Sequence, residues 1–342
     1  MQNSRIALVG HGNVGAALVR LLSEVDPKGR RFVFSGVATR KRGILDLKNC
    51  PASEVDSAIH KASAERRTRE TRLTDATEII DWLKASEYDI LVEVTDSNYS
   101  DGEPALSYLK AALGRGRHAV TANKAPIAIA LRDLRTIAEK TGTGIRFEST
   151  VMDGTPIFSV FSESMPPVKI RRFRGILNST SNIVLDFLNQ KRTLKEGLAK
   201  AKALGLTESD PTLDLNGLDS AAKLTIIANA INDAGIKMEN VMTQPLTEQN
   251  FFAVKRMSAS KGPDTIIRQV CVADFDKKFY RVSLEAVKQD DLLYSCNGSS
   301  NLVSFSLDLF TELIIGSRNP TLRDTAFGIY SDLMLLQNSD GA

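Results

Sequence analysis

Asp219 and Lys223 stand four residues apart in Asp219-Ser-Ala-Ala-Lys-Leu-Thr-Ile-Ile-Ala-Asn-Ala-Ile231, a run that reads as an amphipathic helix. At that spacing both side chains leave one helical face, so a carboxylate can hold and orient an ammonium group. The two can act as a unit. Upstream, Glu208, Asp210 and Asp214 follow a helix that ends at Gly205, in a segment punctuated by Pro211 and Gly217. Such a loop can present carboxylates at a pocket rim, where a substrate ammonium group would find partners. The same residues also suit a solvated loop and one surface ion pair, worth on the order of a few tenths of a kcal/mol.

A second constellation opens the chain. Gly10-His11-Gly12-Asn13-Val14-Gly15 follows the apolar run Arg5-Ile-Ala-Leu-Val9 and precedes a helical pattern from Ala16 to Glu24. In that strand, turn and helix context Gly10 permits the tight turn, Gly12 lets a pyrophosphate approach the backbone, and Gly15 allows close helix packing. Asn13 and Val14 lie in the same turn, at a helix N-terminus that favours an anion. A turn of purely structural use is the alternative. The next strand, Phe32 to Ala38, ends at Thr39-Arg40-Lys41-Arg42, where an acid would bond the ribose hydroxyls of NAD. A basic cluster with no acid suits a 2′-phosphate, so Thr39, Arg40 and Lys41 favour NADP over NAD, unless the loop is merely solvated.

The elements that must position these residues alternate. A buried strand, Ile90 to Thr95, brings Thr95 to the cofactor end of a sheet. A helix to about Leu113 and a further strand then leave Thr121, Asn123 and Lys124 just past a strand's carboxyl end, where ligands of open parallel sheets bind. Residues 44–85 read as an insertion or helical crossover, and the mixed-charge run 65–72 as a solvated helix face. A helix at about 131–140 and a strand at 145–151 follow. The fold class is therefore α/β: a Rossmann-type doubly wound parallel sheet over residues 1–135, with a second α+β catalytic and dimerisation domain over 136–310. Alternation in 279–287 and 302–309 completes a mixed sheet whose face is open to the cleft or to a partner subunit. A helix near 324–336, within a final segment 311–342, returns to the dinucleotide domain. Lys169, Arg171, Arg172 and Arg174 read as a solvated strand face, since they lack the interleaved aromatics of a single-strand nucleic-acid site beyond Phe173.

The ordered set Gly205, Asp210-Pro211, Asp214, Gly217, Asp219 and Lys223 closely resembles the signature of the homoserine dehydrogenase family, and Thr121-Ala122-Asn123-Lys124 is similar to a second motif of that family. The resemblance implies interconversion of L-homoserine and L-aspartate 4-semialdehyde with NAD(P). It implies Lys223 and Lys124 as catalytic groups with Asp219 orienting. Glu208 and Asp214 would bind the substrate ammonium, and Thr180, from an Asn178-Ser179-Thr180 turn, would help orient it. It also implies a monovalent cation such as sodium at Glu148, Val151 and Asp153, and a homodimer. The chain departs from the family pattern at Met152, Asp153, Ser179 and the Gly316-to-Pro320 segment; at 179 a serine would be strained if the turn needs a positive φ. Those departures sustain two rivals: a related dehydrogenase of another small hydroxy or amino acid, and a non-catalytic dinucleotide sensor. Two converging lysines would depress each other's pKa, while Asp219 would raise that of Lys223.

Composition agrees. With 342 residues, 44 Lys and Arg against 41 Asp and Glu, and a net charge of +3, the chain suits two globular domains and asks for no nucleic acid. Three cysteines without C-x-x-C spacing point to free thiols in the cytoplasm, and His11, His60 and His118 lack zinc-ligand spacing. No signal-peptide or membrane-length apolar run is present in the sequence. A short form is expected, with no kinase domain before it and no regulatory domain after it.

Overall fold

Short apolar strands alternate with helices through the first third of the chain, and this pattern winds a parallel sheet. The computed structural model describes residues 3–66, 73–206, 211–258 and 264–339. It divides into two compact units, Met1–Pro156 with Thr321–Ala342, and Ile157–Pro320.

The first unit contains β1 (Ser4–Val9), β2 (Phe32–Thr39), β3 (Gly43–Pro51), β4 (Ile90–Glu93), β5 (His118–Thr121) and β6 (Ile145–Arg146), in the order β3-β2-β1-β4-β5-β6. All pairings are parallel except β2 with β3. The order reverses between β1 and β4, the switch point at whose carboxyl side open α/β sheets take their ligands. Helices α1 (Asn13–Val25), α2 (Ala52–Arg66), α3 (Ala76–Ala85), α4 (Ala105–Gly114) and α5 (Lys124–Thr141) connect the strands. Ile6, Leu8, Ile90 and Val92 are buried against Leu18, Leu22 and Phe32. Ala326, Ile329, Leu333 and Leu336 of the chain's last helix, spanning Leu322–Ser339, join the same core.

The second unit holds β7 (Ile170–Ile176), β8 (Met242–Thr243), β9 (Thr265–Asp274), β10 (Phe279–Lys288), β11 (Asn301–Leu307) and β12 (Glu312–Ser317), ordered β12-β11-β7-β9-β10-β8. Only the β10–β8 pairing is parallel. Its helices are α6 (Ser179–Asn189), α7 (Leu194–Ala203), α8 (Thr212–Leu215), α9 (Leu218–Asn232) and α10 (Glu248–Met257); the last helix of the chain is α11. Val184, Leu185 and Leu188 of α6 and Phe251 of α10 pack on Ile267 and Leu284 of the sheet. On the open face of β7, Arg172 pairs with Asp274, and Arg174 with Asp291 and Glu285.

Several expectations need correction. The unit boundaries fall at 156/157 and 320/321, not at 135/136 and 310/311, because residues 147–154 bond and pack with α11. The stretch 44–85 is not only helical crossover: its first residues form β3, an antiparallel edge strand. The mixed-charge run lies, but for the backbone of its first two residues, outside the described residues. Helix α5 starts at Lys124, not near 131, since Asn123 caps it by accepting from the Ala125 N–H and Pro126 suits a first turn. A strand over 145–151 stops at Arg146: the Glu148 N–H donates to Asp332 Oδ2 at 2.8 Å and Thr150 Oγ1 donates to the Phe147 carbonyl, so 148–150 winds into a tight turn. Helix α9 is not amphipathic over its first turns, where Asp219 to Ala222 and Leu224 to Ala228 are all buried.

Candidate active site and dinucleotide cradle

In the first unit the glycine turn joins β1 to α1. Gly10 adopts φ +101°, and a Cβ there would lie 2.6 Å from the Val94 carbonyl oxygen; a Cβ at Gly15 would lie 2.4 Å from the Gly10 carbonyl oxygen. Gly12 is different: nothing lies within 4 Å of where its Cβ would be. Two glycines thus close the turn against the sheet and helix, and the middle one leaves open space beside backbone. No acid occupies the first turn of α1, so its partial positive charge is left for an anion. Asn13 and Val14 start that helix, and the cradle fits a dinucleotide pyrophosphate. Thr39, Arg40 and Lys41 sit where β2 turns into β3.

At the carboxyl ends of β4 and β5, a buried carboxylate gathers the motif residues. Glu93 accepts from the Thr95 N–H at 2.8 Å, from Thr95 Oγ1, and from Thr121 Oγ1 at 2.8 Å. Thr121 Oγ1 accepts from the Asn123 N–H at 2.9 Å, and Asn123 Nδ2 donates to the Thr95 and Asp96 carbonyls. Burial pushes the Glu93 pKa up, opposed by these donors. Lys124 follows as the first residue of α5. Glu93 is a functional residue absent from the sequence expectations; an acid inside Ile-Leu-Val-Glu-Val is its only local signal, because such a group is buried only with partners.

In the second unit Asn178 caps α6, its Oδ1 accepting from the Ser181 N–H at 2.7 Å. Its Nδ2 donates both hydrogens to acids, at 2.7 Å to Asp214 Oδ1 and 2.9 Å to Asp219 Oδ2. Lys223 Nζ lies 3.0 Å from Asp219 Oδ2 and donates to the Leu177 carbonyl at 2.6 Å. Asp219 and Lys223 side chains are only 11% and 12% exposed, so the pair is no solvated surface bridge. Thr180 Oγ1 donates to the Leu206 carbonyl at 3.3 Å. Burial, and then the Asp219 charge, raise the Asp214 pKa, against the Asn178 amide and Lys223. The cluster thus sets two carboxyl groups, one amide and one ammonium within hydrogen-bonding reach. Gly217, at φ +79°, supplies the left-handed turn that starts α9 and separates the two acids. No local pattern marks Asn178 for this role, because its partners are 36 and 41 residues away. Glu208 lies outside the described residues.

Ser179 is helical, not left-handed, and its Oγ donates to the Ser299 carbonyl at 2.9 Å; the strain considered for a serine there does not arise. Positive φ falls instead at Met152 and Asp153, both +54°. Glu148, Val151 and Met152 are buried around that double turn. Among the described residues no group of three or more His, Cys, Asp or Glu side chains could hold a metal ion. All three cysteines are free thiols, and no described helix is long and apolar enough to cross a membrane.

Comparison with known proteins adds to this geometry. Residues 156–334 match the family model for homoserine dehydrogenase, and residues 10–148 match that for the homoserine dehydrogenase NAD-binding domain. The homoserine dehydrogenase of Sulfurisphaera tokodaii is 31% identical over 334 residues, covering 97% of this chain and 98% of that one. The NAD(+)-dependent homoserine dehydrogenase of Pseudomonas canavaninivorans is 28% identical, covering 99% and 97%. The crystal structure of the Thermoplasma acidophilum homoserine dehydrogenase superposes with a TM-score of 0.81 at 26% identity, covering 98% of this chain and 99% of that one. With a glycine cradle in one unit, a lysine–aspartate cluster in the other and relatives alike over nearly their whole length, the chain belongs to the homoserine dehydrogenase family.

Proposed function

We propose that this chain interconverts L-homoserine and L-aspartate 4-semialdehyde, with NADP preferred over NAD. The single observation that carries the reading is the Asn178–Asp214–Asp219–Lys223 cluster, in which one amide joins two acids and one of those acids holds the lysine. Asp214, with Glu208, is the seat of the substrate's ammonium group, and Thr180 orients the bound molecule. When bound, NAD(P) gives or takes the hydride at the substrate carbon. Lys223 holds the proton that the reacting oxygen gains in reduction or yields in oxidation, and Asp219 fixes the direction of Nζ. Lys124, beside the Thr121–Asn123 network, is the second catalytic lysine.

The basic turn Thr39-Arg40-Lys41 supports the preference for NADP. A monovalent cation such as sodium at Glu148, with the backbone of Val151 and Asp153, would balance the buried Glu148 side chain. Free thiols suit a cytoplasmic enzyme, and the exposed face of β7 offers a homodimer surface. Following NADPH absorbance with aspartate semialdehyde, and NADP and NAD reduction with homoserine, tests the reading. Turnover with a different hydroxy acid and none with homoserine would refute it.

A further inference from the structure

His11 stands between the first two glycines of the cradle, a position at which the turn demands no particular side chain, yet its side chain is only 7% exposed. Its Nδ1 lies 3.2 Å from Arg42 Nη1, and its Nε2 lies 3.2 Å from Asp56 Oδ1 of α2. A guanidinium has donors and no acceptor, so Arg42 donates and Nδ1 carries the lone pair. The ring hydrogen is thereby confined to Nε2. The approach to Asp56 has ionic distance without hydrogen-bond alignment, so the contact to Arg42 is the better formed of the two. Burial is the main cause that holds His11 below the usual histidine pKa, with Asp56 opposing and Arg42 reinforcing it. A neutral ring is the form that can accept from Arg42.

Arg42 closes the basic turn between β2 and β3; its side chain is exposed, and its N–H donates to Thr39 Oγ1 at 2.9 Å. One edge of a rigid planar fork is thus pinned to the glycine turn. We propose that His11 is a positioning residue that pre-orients Arg42 as part of the handle for the cofactor's 2′-phosphate. The inference rests on the NADP preference proposed above. An anchored arginine gives up less rotamer freedom when it clamps a phosphate, so the anchor raises affinity without touching the ligand.

The tests are imidazole nitrogen NMR on the whole chain and titration of NADPH and NADH binding by fluorescence. Expected are the Nε2–H tautomer of His11 in the wild type and a rise of its pKa in Arg42→Ala. His11→Ala should lower the NADPH-to-NADH affinity ratio about tenfold, His11→Asn, which restores an acceptor near Nδ1, should recover most of it, and His11→Ala should add nothing in an Arg42→Ala background. An Nδ1–H tautomer, or equal losses for both nucleotides in His11→Ala, would overturn the proposal. Should His11→Ala fail to fold, the tautomer and the His11→Asn ratio decide. A wild-type ratio near one sinks the NADP reading and the purpose given to His11 with it. A ratio above about ten that His11→Ala leaves untouched sinks the inference alone.

Discussion

The cradle of the first unit offers a ligand backbone and empty space, created by leaving side chains out, whereas the cluster of the second unit offers side chains gathered from residues 178, 214, 219 and 223. The two fail in opposite ways. Adding one methyl group damages the cradle, and removing one functional group damages the cluster. Backbone amides cannot be mutated away, so the cradle's tolerance is set by space; the cluster's is set by charge and hydrogen-bond balance.

The largest effect should come from Lys223→Ala, which removes the proton carrier: turnover should fall by about 10³-fold or more, while NADPH binding changes less than about twofold. Steady-state rates within about tenfold of wild type would break the contrast. Next, Gly10→Ala forces a methyl against the Val94 carbonyl in a left-handed backbone and should cost the unit about 2–4 kcal/mol by denaturant unfolding. Gly12→Ala, with open space around its Cβ, should unfold like wild type yet bind NADPH about tenfold more weakly. A Gly12→Ala protein that binds normally would show that the space is not the pyrophosphate seat. Smaller again, Asn178→Ala strips both Asp214 and Asp219 of a donor, and should raise the homoserine KM about tenfold with a lesser change in kcat.

A separate test reads the pH dependence of stability. Burial, and then the Glu148 charge, raise the Asp332 pKa to about 8, against the Glu148 N–H. A raised acid favours folding only while protonated, so this contribution is full below the unfolded value near 3.8 and is lost as pH rises toward about 8. Asp332→Asn, which keeps an acceptor for the Glu148 N–H, should flatten the fall of Tm between those limits. An unchanged slope would remove Asp332 from the account.

The glycine turn and its flanking strand and helix were legible because every participant lies within about one strand and one helix of chain, and the backbone there has few choices. The Asp219–Lys223 pair was legible for the same reason, as neighbours on one helical face. Helix α5 was not fully legible, because Pro126 reads as a break until Asn123 is seen to cap the turn before it. Nor was the winding of 148–154, since the partner that takes the Glu148 N–H is 184 residues away.

Spacing along the chain is enough to reveal the family, the α/β alternation, the dinucleotide turn and the lysine–aspartate pair. That one amide, Asn178, joins two acids, that Glu93 ties together Thr95 and Thr121, and that His11 meets Arg42 emerges from the folded chain alone. Those contacts depend on which strands become neighbours and how much water is excluded between them, and no local pattern carries that information.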